Sequence, residues 1–90
     1  MRRVKVNITG QVQGVFYRSF IKNEADKLAL TGYVKNKENG DVEAVIEGHE
    51  FKVKMLIEKC KSGPVGAIVN AIKIIDEPYK NEFKDFRVKY

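Results

Sequence analysis

The chain has 90 residues, 43% of them hydrophobic, and 17 Lys and Arg against 12 Asp and Glu give it a net charge of +5. That is material for one core and not two, in a composition neither disordered nor fibrous, so a site is expected on a surface loop rather than in a large internal cavity. A single His and a single Cys exclude an internal disulfide and a structural zinc site, and basic residues interleaved with acidic ones read as a solvated surface rather than a nucleic-acid face.

Val4, Val6 and Ile8 alternate with Arg3, Lys5 and Asn7, a period of two that predicts a half-buried first strand. The stretch Gly10 to Arg18 follows, with glycines at both ends of a loop that runs into helical spacing. A strand turning through such a loop into a helix aims backbone N–H groups and the positive end of the helix dipole at one small volume, which suits an anion. Arg18 falls in the first turn, where a cation is unfavourable, so its guanidinium points to a ligand that offsets the cost. Tyr17, Ile21, Ala25 and Leu28 then form one apolar stripe, predicting a helix to about Leu30 with Thr31-Gly32 as its C-cap.

Two alternating segments, Gly32 to Asn36 and Asp41 to Glu47, flank Lys37-Glu38-Asn39-Gly40, and Asn-Gly in that setting predicts a hairpin. Gly48 releases the chain into a second helix carried by Val53, Leu56, Ile57 and Cys60, which Ser62-Gly63-Pro64 stops. Val65 to Ile75 is rich in β-branched residues and reads as a strand, broken by Asp76-Glu77-Pro78. Phe86, Val88 and Tyr90 alternate with Arg87 and Lys89 as a short final strand. The order β-α-β-β-α-β plus a C-terminal strand predicts an α+β, ferredoxin-like sandwich over residues 1–90 as one domain, an antiparallel sheet with two helices on one face. The first strand is central in that topology, which brings Asn36 toward Arg18.

Gly10-Gln11-Val12-Gln13-Gly14-Val15-Phe16-Tyr17-Arg18 resembles the first signature of the acylphosphatase family, G-x-V-Q-G-V-x-[FY]-R. Gly32 to Val42, with Gly48 following, resembles the second, G-[FYW]-V-x-N-x-x-x-G-x-V-x-x-x-x-x-G. Both match at every fixed position. The resemblance implies hydrolysis of acyl phosphates without a metal or other cofactor. The amides of Gln11, Val12, Gln13, Gly14, Val15 and Phe16, together with Arg18, bind the phosphoryl group, and Asn36 positions water. The partners it implies are a small acyl-phosphate substrate and inorganic phosphate as product and inhibitor. A non-catalytic phosphate- or carbamoyl-phosphate-binding module is the alternative. No G-x-G-x-x-G and no Gly-Lys-Ser/Thr occurs.

The chemistry is self-consistent. The leaving carboxylate has a parent acid pKa of about 4 and departs without a general acid, so positioning and charge stabilisation suffice. The side chains of Gln11 and Gln13 either brace the loop or face solvent. An RNA-binding reading of the same element order fails for want of aromatics in Asp41 to Glu47, and no nucleic-acid or membrane partner is expected. A lone cysteine, with neither a leader nor a bilayer-length apolar run, predicts a cytoplasmic protein; a monomer is the expected state. The carboxylate of Tyr90, at the end of the last strand, is expected to pair with Arg18.

Overall fold

Alternating apolar residues build the sheet, and the two helical stripes cover one side of it. In the computed structural model, which describes residues 1–90, the elements are β1 (Arg2–Gln11), α1 (Tyr17–Lys27), β2 (Thr31–Asn36), β3 (Val42–Gly48), α2 (Glu50–Ser62), β4 (Ile68–Glu77) and β5 (Phe86–Lys89). The strand order is β4-β1-β3-β2-β5. All pairings are antiparallel except β2 with β5, which is parallel and makes the sheet mixed. Val4, Val6 and Ile8 of β1 and Ala44 and Ile46 of β3 share one core with Tyr17, Ile21 and Ala25 of α1 and Val53, Leu56, Ile57 and Cys60 of α2. Both helices therefore lie on one face, and the alternate residues Lys5 and Asn7 turn to the other. Neither helix is long and apolar enough to cross a membrane.

The first helix stops earlier than its stripe suggests. Lys27 is its last residue. The Ala29 and Leu30 N–H groups donate back to Asp26 and Ala25 carbonyls at 3.1 and 3.0 Å, the Schellman closure, with Ala29 in the left-handed conformation at φ 55°. Leu30 is drawn into the core as the apolar partner of that closure. Thr31 and Gly32 are thus not a cap but the start of β2. The glycine answers crowding in the sheet instead, since a Cβ there would lie 1.8 Å from the Val45 carbonyl oxygen. Alanine bears the left-handed position at a cost of about 1 kcal/mol relative to glycine. Ala29→Gly is accordingly expected to raise stability by about that amount in urea unfolding; a fall would contradict the assignment of the closure to Ala29.

Strand β4 also differs in register of its ends. Val65 to Ala67 lie in the turn before it, and it continues through Asp76 and Glu77, which face Val4 and Arg3 of β1. Ion pairs Arg2–Asp76 (2.9 Å) and Arg3–Glu77 (2.8 Å) tie this extension down, so Pro78 rather than Asp76 ends the strand.

The segment between β4 and β5 is fastened across the open face by one carboxylate. Glu47, only 1% exposed, accepts the backbone N–H groups of Lys80 and Glu82, each at 2.9 Å, and Arg3 at 3.2 Å. Arg3 also reaches Glu82 at 2.8 Å and lies 5.3 Å from the centre of the Phe83 ring. Burial alone would raise the Glu47 carboxyl, but the two backbone donors and Arg3 outweigh it and hold the group below its ordinary 4.5. A carboxyl depressed in the folded state contributes stability that is complete above the unfolded value and lost as pH falls through the folded one. Below pH 4.5 the Lys80 and Glu82 amides are therefore expected to lose hydrogen-exchange protection ahead of those of β1. Simultaneous loss in both places would contradict this.

Candidate active site

Strand β1 ends at Gln11, and the loop from there to α1 is held from both sides while its middle is strained. Val12 and Tyr17 are buried, and the Tyr17 hydroxyl donates to the Cys60 carbonyl at 2.6 Å, which fixes the first turn of α1 against the end of α2. Burial, together with the neighbouring Cys60, pushes the Tyr17 phenol well above its usual range, so it remains a donor. Between these anchors Gly14 has φ 73° and Phe16 φ 59°. The glycine takes that conformation freely, but for an aromatic residue it costs about 1–3 kcal/mol. Phe16 is nevertheless 84% exposed, so packing of its own side chain is not what compensates.

The third anchor is Gln13. Its Nε2 donates to the carbonyls of Lys37 and Asp41, 2.9 Å each, bridging the loop to the turn between β2 and β3. Of the two readings the sequence left open for Gln13, the bracing one holds. Gln11 is exposed and opposite Ile68 of β4, Val15 packs half-buried against the core, and the Val12 side chain belongs to the core, leaving only its backbone for a ligand. No side chain caps α1 at Phe16, and no acidic residue stands in the first turn. The first backbone bond into the helix, Phe20 N–H to Phe16 carbonyl, is 3.0 Å. The N–H groups ahead of it have no acceptor within the helix, and with the dipole they favour negative charge.

Arg18 is oriented by the last strand. Its Nη1 donates to the Lys89 carbonyl at 3.0 Å, and its guanidinium sits 4.7 Å from the centre of the Tyr90 ring. The expectation that the Tyr90 carboxylate pairs with Arg18 is therefore corrected: Tyr90 offers its ring, and the carbonyl comes from Lys89. A carbonyl and a π face orient the fork without neutralising its charge.

Asn36 closes β2, opposite Val42 of β3. Strand β3 separates β2 from β1, so adjacency of strands does not bring Asn36 to the loop; the Gln13 bridge to the residue after Asn36 ties the two regions together. The Asn36 Oδ1 is buried and has no hydrogen-bond partner, the one such side-chain atom in the molecule. Leaving it unsatisfied costs about 1–3 kcal/mol. The Lys89 carbonyl was not legible beforehand, since any residue type presents the same backbone group.

A family model, acylphosphatase, matches residues 4–88. The acylphosphatase of Syntrophus aciditrophicus is 44% identical over 90 residues, covering 100% of this chain and 94% of the relative. The crystal structure of acylphosphatase from Bacillus subtilis is 33% identical with a TM-score of 0.96, covering 100% of both chains. The crystal structure of T. kodakarensis HypF is also similar, 30% identical with a TM-score of 0.86, and there the match covers 100% of this chain but 12% of HypF.

Proposed function

The chain belongs to the acylphosphatase family, and on that premise we propose that residues Gln11 to Phe16 and Arg18 hold the phosphoryl group of a small acyl phosphate while Asn36 orients the water that attacks it. The enzyme class is that of an acylphosphatase hydrolase. In the proposed reaction the water oxygen forms a bond to phosphorus, the bond from phosphorus to the acyl oxygen breaks, and its electron pair leaves on the carboxylate. The water proton passes to a phosphate oxygen, because an amide side chain is no base. Loop N–H groups and the bidentate guanidinium stabilise the three equatorial oxygens, each charge-assisted bond contributing about 1.5–3 kcal/mol.

One observation carries this reading. The Gln13 bridge to Lys37 and Asp41 couples the loop, with its uncapped helix, to the strand end that bears Asn36. A phosphoryl cradle and a water-aiming group need such a fixed relation, since loss of alignment by about 1 Å can cost about 10²-fold in rate. The test is hydrolysis of benzoyl phosphate without added metal, with competitive inhibition by inorganic phosphate. Saturable phosphate binding without turnover would favour the second reading, a phosphate- or carbamoyl-phosphate-binding module.

A further inference from the structure

The open face of the sheet carries a groove of about 300 Å³ lined by Lys5, Asn7, Lys37, Glu43, Lys73 and Ile75. Lys5 and Asn7 alternate with the core residues of β1, so the groove lies opposite the helices. Lys73 of β4 and Glu43 of β3 flank Asn7 on either side. Three ammonium groups thus meet one lining carboxylate, which is already engaged, while a second, Asp41 Oδ2, is taken up by the Asn7 Nδ2 group at 2.9 Å. Glu43 accepts the Tyr33 hydroxyl at 2.8 Å and faces Lys5 at 3.6 Å and Lys35 at 3.7 Å. Lys37 spends its ammonium on a neutral acceptor, Asn7 Oδ1, at 3.0 Å, and Lys73 has no carboxylate partner.

We propose that this groove is a second anion site, taking the phosphate groups of a small di- or triphosphate, and that Lys37 connects it to the loop. Ammonium groups bind phosphate oxygens as point charges. They are spread from β4 across β1 to the β2–β3 turn, and with strands about 4.8 Å apart this matches a chain of phosphates better than a single one. The link runs through one residue. Lys37 Nζ points into the groove, and its carbonyl accepts Gln13 of the loop at 2.9 Å. An anion that draws the ammonium from Asn7 therefore pulls on the loop's anchor. The significance of that link, though not the site itself, rests on the loop being the phosphoryl cradle.

The test is titration of the ¹⁵N-labelled protein with inorganic pyrophosphate. Two sets of amide shifts are expected, one over the loop and one over Lys5, Asn7 and Lys73. In Lys5→Gln/Lys73→Gln the second set should weaken by about tenfold or more, with unchanged kcat on benzoyl phosphate in the absence of pyrophosphate. In Arg18→Ala the second set should persist, and the Gln13 side-chain amide should move with it. Absence of shifts on the open face, shifts indifferent to the lysine substitutions, or a Gln13 side chain that stays still while the face saturates would each overturn the proposal. Failure of the cradle reading looks different: the loop set is missing from the unmodified protein while the second set remains.

Discussion

Arg18→Ala is expected to lower kcat/KM for benzoyl phosphate by about 10³-fold or more and to remove competitive inhibition by inorganic phosphate. The reason is geometric as much as electrostatic. The guanidinium is held by a carbonyl and a ring, so its whole charge is available to a ligand, and no other cation in the loop from Gln11 to Tyr17 can replace it. Arg18→Lys keeps the charge but loses the planar fork, and should recover only part of the binding. The contact with Lys89 is exposed, so stability should change little. Undiminished inhibition by phosphate in the alanine variant would remove Arg18 from the site.

Asn36→Ala is expected to separate function from stability. Turnover should fall by about 10²-fold or more if the side chain orients water, with the inhibition constant for phosphate nearly unchanged. The buried Oδ1 has no donor, so its removal relieves an unsatisfied acceptor and should raise unfolding free energy by about 1 kcal/mol. A stabilised and inactive variant would identify the orphaned oxygen as strain kept for function. A variant with near-normal kcat would exclude Asn36 from the mechanism, and one that merely unfolds more easily would assign it a packing role.

The elements were legible wherever side-chain period decides structure. Val4, Val6 and Ile8 fixed the face of β1, Val53, Leu56, Ile57 and Cys60 that of α2, and Asn39-Gly40 the turn, where the Asp41 N–H donates to Asn39 Oδ1 at 3.0 Å. The two signature stretches pointed to the family that the comparisons then showed. What stayed hidden depends on backbone. Ala29 carries a left-handed cap that composition assigns to glycine, and Gly32 looked like that cap while serving a close approach of strands. The parallel pairing of β5 leaves no period of its own. Gln13 was visible as a polar residue in a loop, but its two acceptors are carbonyls from the far side of the hairpin.

Consider finally the bond between Arg18 and Lys89 as a closure in sequence. The partners are 71 residues apart, and bringing the ends of such a loop together costs about 4 kcal/mol in chain entropy. A single side-chain bond to a carbonyl returns about 1 kcal/mol. The β2–β5 ladder and the buried Phe86, not the arginine, must supply the difference. The direction in which Arg18 points is thus inherited from the docking of the last strand, and the N-terminal half of the chain does not contain the information needed to aim it.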